Sequence, residues 1–225
     1  MKKIFISGIS SGLGKALAEI FAETNWTVIG CGRSDVSFAN ERIHYFNLDI
    51  SDINAVSDFI IQHDDLLDGL SVLINNASIL GMLEKLDRYP PLTWKKVMDI
   101  NVNGTFYLTQ ALYPFLKEST MPQIITMSSS VGKEPRVKWG AYSVSKVAIE
   151  GFTQILAEEN PEFLIYTINP GGLPTRMRHL AFPDEDQSTL PSLQQAAIAI
   201  HNFIEFPDPT WRGKHINLRE HLTSE

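Results

Sequence analysis

The sequence predicts an α/β fold: a doubly wound parallel sheet of about seven strands with helices on both faces. Segments of strand character alternate with segments of helical period throughout the 225 residues. The strand segments are apolar at nearly every position, which is typical of strands covered by helices on both sides. Glycine and polar residues directly follow the strand segments, at the edge where such sheets bind ligands.

The composition predicts a single domain spanning residues 1–225 and limits its partners. The formal net charge is −7 and no long basic run occurs, so we expect no nucleic-acid surface. No run of about eighteen apolar residues occurs, and the N-terminal residues do not resemble a signal peptide, so we expect no membrane segment. The single cysteine, Cys31, excludes an intrachain disulfide and suits a cytoplasmic location. The scattered histidines predict no metal site.

The first elements surround a glycine-rich segment. Residues 4–6 form an apolar strand, and Gly8, Gly12 and Gly14 follow it. This order suits a phosphate at the start of a helix, because glycines permit a tight turn and a close backbone approach. The spacing differs from the usual G-x-G-x-x-G, and a flexible turn without a ligand is the alternative. The following helix is predicted by apolar residues at helical period: Leu13, Ala16, Leu17, Ile20 and Phe21.

Three further strands complete the first half of the sheet. They are predicted at residues 26–31, 43–48 and 70–74. Ser51 or Asp52 can cap the helix that lies between the last two of them. We expect the buried face of that helix to carry Ile53, Val56, Phe59 and Ile60.

The second half begins after the break at Pro90-Pro91. A helix capped by Thr93 is predicted to run to about Lys117. Inside it, Asn101 is a weak helix former in an apolar segment, an inconsistency that often marks function. The remaining elements are strands at residues 123–127, 164–168 and 215–218, helices at residues 139–159 and 193–206, and a short substrate lid at about residues 175–191.

Two of these helices, at residues 93–117 and 139–159, are apolar on more than one face. One face covers the sheet, and the other predicts contact with a symmetry mate, hence a homodimer or homotetramer. The apolar residues concerned include Phe106, Tyr107, Leu112, Phe115, Phe152 and Ile155.

Tyr142 and Lys146 are four residues apart on a predicted helix and therefore share a face. The ordinary pKa of tyrosine, about 10, is too high for proton transfer near neutrality. We expect the ammonium of Lys146 to lower the pKa of Tyr142, so that the phenol serves as a general acid or base. An amphipathic helix with a packed tyrosine and a surface lysine is the alternative.

Several motifs, in order and at matching spacing, resemble the short-chain dehydrogenase/reductase family. Ser129 lies thirteen residues before Tyr142, as the resemblance requires. One departure is Ser78, which stands where the family usually has glycine. The matching motifs are Ser7-Gly8-x-x-x-Gly12-x-Gly14, Asn75-Asn76-Ala77, Asn101, Ser129, Tyr142-x-x-x-Lys146 and Pro170-Gly171-Gly172-x-x-Thr175.

The resemblance implies a Rossmann-like fold and an oxidoreductase that transfers a hydride between NADP(H) and a small carbonyl or alcohol substrate. It implies that Tyr142 transfers a proton, Lys146 tunes Tyr142 and holds the nicotinamide ribose, and Ser129 orients the substrate oxygen. Asn101 would hold a water that links Lys146 to solvent. The implied cofactor-binding residues are Gly8, Ser10, Ser11, Gly12, Leu13, Gly14, Arg33, Asp49, Ile50, Asn76, Ala77, Tyr142, Lys146, Pro170, Gly171 and Thr175.

The end of the second strand predicts NADP(H) as the preferred cofactor, with NAD(H) as the alternative. An acidic residue there would bind the ribose hydroxyls of NAD, but this chain has Gly32. The next residue, Arg33, can form paired hydrogen bonds with a phosphate. Asp49 ends the third strand and is better placed for the adenine amine.

Two other functions use similar folds: a non-catalytic cofactor sensor, and a sugar epimerase or dehydratase. The sensor would not need Tyr142 and Lys146, and the epimerase would need a larger C-terminal substrate domain. For the substrate itself, Trp139 and residues 80–83 are candidate pocket residues, although ordinary packing explains them as well.

Overall fold

The computed structural model describes residues 2–222 and confirms the predicted fold class. Its strands are β1 (Lys3–Ser7), β2 (Thr27–Gly32), β3 (Ile43–Asn47), β4 (Leu70–Asn75), β5 (Gln123–Met127), β6 (Leu164–Asn169) and β7 (His215–Asn217). They form one parallel sheet in the order β3-β2-β1-β4-β5-β6-β7. Each strand lies within one residue of its predicted bounds. The strand order reverses between β1 and β4, which creates the crevice where doubly wound sheets bind ligands.

The helices cover both faces of this sheet. They are α1 (Gly12–Glu23), α2 (Ile53–Gln62), α3 (Asp64–Leu67), α4 (Pro91–Met98), α5 (Gly104–Lys117), α6 (Gly140–Glu159), α7 (Arg176–Ala181) and α8 (Leu193–Glu205). Short 3₁₀ turns occur at Leu86–Arg88, Ser130–Gly132, Gln187–Thr189, Pro209–Trp211 and Leu218–Glu220. None of the helices within residues 2–222 is long and apolar enough to span a membrane.

The predicted single helix from Thr93 to Lys117 is wrong in two respects. It begins at Pro91, because proline at the first helical position loses no hydrogen bond, so Thr93 lies inside the first turn and is not the cap. The segment is also divided: a π-helical turn, Asp99–Asn103, separates α4 from α5. Asn101 lies in this turn, where a wider helical turn carries one extra residue.

The helix after β3 is capped by Asp52, the second of the two predicted caps. Its Oδ1 accepts hydrogen bonds from the backbone N–H groups of Asn54 (2.9 Å) and Ala55 (3.2 Å). The predicted burial of Ile53 is wrong: this side chain is 52% exposed, because it begins the helix and lies off the buried stripe. Val56 and Phe59 are buried as predicted.

The core has one layer on each face of the sheet. In β1, Ile4 and Ile6 pack with residues of α1 and α8, whereas Phe5 packs with residues of α2 and α5. Alternate side chains of a strand point to opposite faces, so a strand that is covered on both sides must be apolar at every position. The buried sheet therefore fixes the strand ends that form the crevice.

Candidate active site

The crevice lies at the carboxyl ends of the strands and has a volume of about 1120 Å³. Every residue that the sequence predicted to bind the cofactor lines it, as do Ser129 and the departure Ser78. Asn101 is not among the lining residues and is fully buried. The structure thus brings together residues that are separated by up to 167 positions, from Gly8 to Thr175.

Asn76 joins the ends of β1 and β4. Its side-chain Nδ2 donates hydrogen bonds to the carbonyl oxygens of Ser7 (2.9 Å) and Gly8 (3.2 Å). In return, Ser7 Oγ accepts from the backbone N–H groups of Asn76 and Ala77, both at 3.0 Å. These four hydrogen bonds hold the glycine segment against β4.

The glycine segment forms a cradle that larger residues would fill. Gly8 has φ +76°, and a Cβ there would lie 2.9 Å from the Cα of Ala77. A Cβ at Gly14 would overlap the carbonyl oxygen of Gly8 and lie 2.5 Å from Nδ2 of Asn76. Ser11, at the N-cap of α1, makes no side-chain capping hydrogen bond, so the first N–H groups of α1 remain available to an anion. The cradle fits the pyrophosphate of a dinucleotide.

The end of β2 carries no carboxylate. Arg33 is exposed and lines the crevice beside Gly32. Asp49, at the end of β3, accepts hydrogen bonds from Ser51 N (3.0 Å) and Ser51 Oγ (2.7 Å). Burial opposes ionisation of Asp49, but these hydrogen bonds, with Arg33 and Lys96 nearby, outweigh it and lower the pKa of the carboxyl. Asp49 therefore stays ionised.

Tyr142 and Lys146 are both buried on α6, and their pKa values move in opposite directions. Burial raises the pKa of Tyr142 to about 12, although a hydrogen bond with the Ser129 side chain opposes the shift. Burial lowers the pKa of Lys146 to about 8. Lys146 Nζ lies 5.5 Å from the centre of the Tyr142 ring and donates to the carbonyl oxygen of Met127 at 2.7 Å. The predicted lowering of the Tyr142 pKa is therefore wrong for this structure: the effect of burial is the larger one, and the Lys146 ammonium donates its hydrogen bond to the Met127 carbonyl and not to Tyr142.

Asn101 connects α6 to the loop after β4. Its Oδ1 accepts from the backbone N–H of Ile79 (2.8 Å), and its Nδ2 donates to Ile79 O (3.0 Å) and Ser145 Oγ (3.0 Å). Ser145 directly precedes Lys146, so these contacts fix the position of the lysine along α6. The predicted role in holding a water stays a prediction.

An apolar wall borders Tyr142. Leu80, Val131 and Tyr142 form a buried cluster, and four partly buried residues pack on it: Leu83, Trp139, Met177 and Ala181. The ring centre of Trp139 lies 5.9 Å from that of Tyr142 and 5.8 Å from that of Phe182. Trp139 thus lies between Tyr142 and the segment at residues 175–191.

That segment is held by its own ion pair. Arg178 Nε donates to Glu185 Oε2 at 2.6 Å, and Nη2 lies 2.5 Å from Oε1. The guanidinium also covers the ring of Phe182 at 3.8 Å. This pair was not predicted from the sequence, because its members are seven positions apart and the end of α7 lies between them.

Glu150 was also not predicted from the sequence. It is a buried carboxylate on α6, one turn after Lys146. The helical spacing Tyr142, Lys146, Glu150 was a signal that could have identified it, since residues four apart share a face.

A phosphate cradle at the reversal of a doubly wound sheet, opening onto a buried tyrosine and lysine, defines a class of protein: dinucleotide-dependent oxidoreductases. The sequence profile described as short chain dehydrogenase matches residues 2–186. The chain belongs to this family and is an NAD(P)-dependent oxidoreductase that transfers hydride.

Individual relatives agree with this assignment. The uncharacterized oxidoreductase YciK of Escherichia coli (strain K12) is 38% identical over 203 residues, which cover 83% of this chain and 79% of YciK. A solved short chain dehydrogenase from Escherichia coli CFT073, complexed with NADPH, is 32% identical with a TM-score of 0.89 over 97% of this chain and 96% of that chain. Another, from Shigella flexneri 2a str. 301 and complexed with NADP, is 33% identical with a TM-score of 0.88 over 97% of both chains. A sensor or an epimerase is not favoured.

Proposed function

We propose that this chain is an NADP(H)-dependent reductase of small apolar carbonyl compounds, which also oxidises the corresponding alcohols. The observation that carries the proposal is the pairing of Ser129 and Tyr142 at the crevice, directly beside an apolar wall. A carbonyl oxygen needs a proton donor and an orienting hydroxyl, and the rest of the substrate needs an apolar surface.

The cofactor proposal rests on the cradle and on Arg33. The glycine segment suits the pyrophosphate, Asp49 suits the adenine amine, and Arg33 suits the 2′-phosphate of NADP(H). The two similar structures mentioned above were solved with NADPH and NADP. When bound, the nicotinamide supplies or accepts the hydride.

The protein groups perform the proton transfer. In this structure Tyr142 is protonated at neutral pH, so its Oη carries the proton that reduction of a carbonyl oxygen requires. Ser129 Oγ orients the same oxygen, and Lys146 supplies the positive charge that stabilises the phenolate left behind. Asn101 keeps Lys146 in position through Ser145.

The substrate proposal follows from Leu80, Trp139 and Met177, which line the crevice on the Tyr142 side. The residues that cover this region belong to the segment 175–191, which we propose as the lid. We further propose that residues 1–225 act as one domain in the cytoplasm, where the lone buried thiol of Cys31 stays reduced.

The assembly proposal is a homodimer or homotetramer. On α6, one face carries the exposed side chains Val144, Val147 and Ile155. Phe106 of α5 is exposed beside it and packs edge-on against Phe152. An apolar surface shared by two long helices is typical of a symmetric interface.

The substitution Tyr142→Phe tests the proposed reaction. It removes only the transferable proton, so we expect kcat to fall at least about a hundredfold, whereas the dissociation constant of NADPH changes little. The substrate is taken from a panel of aldehydes, ketones and quinones followed by NADPH absorbance. The matched control is Tyr113→Phe, since that hydroxyl bonds to Asn160, outside the crevice. A Tyr142→Phe variant with near-normal kcat on a substrate whose chemistry is rate-limiting would contradict the assignment.

A further inference from the structure

One buried charge next to the proposed site has no part in the reaction described so far. Glu150 lies on α6 and is only 5% exposed. Buried carboxylates are rare unless they are paired, because removal from water is costly. A buried charge one helical turn from Lys146 requires a reason.

The carboxylate of Glu150 is held from three directions. On β7, His215 Nδ1 lies 2.7 Å from Oε1. On β6, Thr167 Oγ1 donates to Oε2 at 3.1 Å. After β5, Lys133 Nζ lies 3.3 Å from Oε2. These contacts fix both oxygens and, although burial opposes it, lower the pKa of Glu150 to about 2.

The fixed carboxylate acts on Lys146. Tyr142, Lys146 and Glu150 are spaced four residues apart and follow one face of α6, with Cβ atoms of neighbours about 6 Å apart. Burial lowers the pKa of Lys146 to about 8, and Glu150 opposes that effect. Without the carboxylate, burial would act alone and bring the pKa of Lys146 closer to neutral pH.

We propose that Glu150 is a positioning residue of the reaction, which acts through Lys146 as a fixed, buried counter-charge that keeps the ammonium charged beside Tyr142. This inference rests on the proposed function, because it matters only if Lys146 assists proton transfer by Tyr142. Three groups contact the Glu150 carboxylate: His215, Lys133 and the hydroxyl of Thr167.

The pH dependence of Glu150→Gln is the primary test. Carbonyl reduction needs a charged Lys146, so kcat falls as pH rises through the pKa of that lysine. Glutamine keeps the size of the side chain but removes its charge, so we expect this alkaline fall to move about one pH unit lower. The conservative variant Glu150→Asp keeps the charge and should restore the normal profile. A kcat profile of Glu150→Gln that coincides with the normal one would overturn the inference.

The matched control is Glu205→Gln. Glu205 also holds several partners, Lys2 Nζ at 2.5 Å and Trp26 Nε1 at 2.6 Å, but it lies on α8 and does not line the crevice. The Glu205→Gln variant should have a lower free energy of unfolding, but the pH dependence of its kcat should be unchanged. If both variants displaced the profile equally, the effect of Glu150 would be structural and the proposal would fail.

A second readout needs neither cofactor nor turnover. Where the pKa of a lysine is lower in the folded state, the unfolded state binds more protons, so the free energy of unfolding rises with pH between the two pKa values. For Lys146 this rise begins near pH 8 and ends near 10.5. In Glu150→Gln, urea unfolding of the ligand-free protein should show the rise beginning about one unit lower than in the unsubstituted chain.

The exposed variant Lys133→Met covers the case in which Glu150→Gln does not fold. It removes a cation from the carboxylate, leaves the Glu150 charge less compensated, and should move the alkaline fall in kcat upward by a few tenths of a unit. A downward displacement would contradict the proposal.

The failure of this inference can be distinguished from the failure of the proposed function. If the unsubstituted chain reduced no carbonyl compound with NADPH, or if Tyr142→Phe stayed active, the proposed function would fail. If the enzyme is active and Glu150→Gln has a normal pH profile of kcat, only the inference about Glu150 is refuted.

Discussion

Arg33 shows how a single residue at a strand end sets the chemistry of a crevice. Its guanidinium lies beside Gly32, where another dinucleotide fold would carry an acid. The space at Gly32 is already restricted: a Cβ there would lie 3.0 Å from both Ser10 Oγ and Tyr45 Oη. An acidic side chain at Gly32 would therefore disturb packing as well as charge, so Arg33 is the better position for a test of cofactor choice.

We predict that Arg33→Ala raises the dissociation constant of NADPH about tenfold and leaves that of NADH nearly unchanged. Removal of one charge-assisted phosphate contact at an exposed position has this magnitude. Isothermal titration of both cofactors is the measurement. Arg88→Ala, an exposed arginine outside the crevice, should change neither. The proposed contact of Arg33 with the 2′-phosphate is contradicted if Arg33→Ala raises the dissociation constants of NADPH and NADH equally. It is also contradicted if the unsubstituted chain binds NADH as tightly as NADPH.

At the residue scale, the spacing of residues in the sequence predicted which side chains lie together, but not the pKa of each side chain. The spacing of thirteen positions from Ser129 to Tyr142 selected one serine among three in a row. The pKa of Tyr142 was not predictable in the same way, because the burial that raises it includes packing against Leu80, which lies 62 positions earlier in the chain. The Met127 carbonyl that accepts the hydrogen bond of Lys146 is a backbone group, so the residue type at this position does not predict the contact.

At the scale of elements, the strands were predicted to within one residue, whereas the segment at residues 91–117 was not. The ends of the apolar strands are marked in the sequence by the proline, glycine and polar residues that flank them. A π-helical turn contains the same residue types as an α-helix and has only one extra residue. The apolar periodicity of the sequence therefore does not reveal the turn. Asn101 was an indication of it in the sequence, and its contacts with Ile79 and Ser145 explain the polar residue at this position.

The close packing of α1 against the ends of β1 and β4 requires that residue 14 has no side chain, as in Gly14. Alanine would normally stabilise a helix by up to about 1 kcal/mol relative to glycine. Here the added Cβ would overlap the carbonyl of Gly8 and press on Asn76. We therefore predict that Gly14→Ala lowers the free energy of unfolding by about 1–3 kcal/mol and weakens NADPH binding at least tenfold.

Urea unfolding and fluorescence titration measure the two effects of Gly14→Ala. Lys15→Ala is the matched control, since Lys15 is exposed on the same helix and the change should stay within about 0.5 kcal/mol. A Gly14→Ala variant that is as stable as the unsubstituted chain and binds NADPH normally would mean that the cradle is not closely packed.

At the scale of the whole molecule, two helices that build the site also carry an uncovered apolar surface. The inner face of α6 holds Tyr142, Lys146 and Glu150, and its outer face exposes Val144 and Ile155. Contact with a second copy would bury the outer face and thereby stiffen the helix that carries the reactive groups. The sequence predicted the apolar pattern of both helices, but the pattern alone does not give the number of copies, which depends on symmetry.

We predict that light scattering gives the mass of a dimer or tetramer, and that Ile155→Glu reduces it. Ile155 is 62% exposed in the single chain, so a glutamate there should leave the fold intact while placing an unpaired charge in the interface. The matched control is Ile61→Glu on α2, where the isoleucine is 71% exposed and belongs to neither α5 nor α6. It should keep the full mass, because a surface charge outside the interface costs little. A monomer mass for the unsubstituted chain across a wide concentration range would exclude the interface, and equal dissociation by both variants would locate it elsewhere.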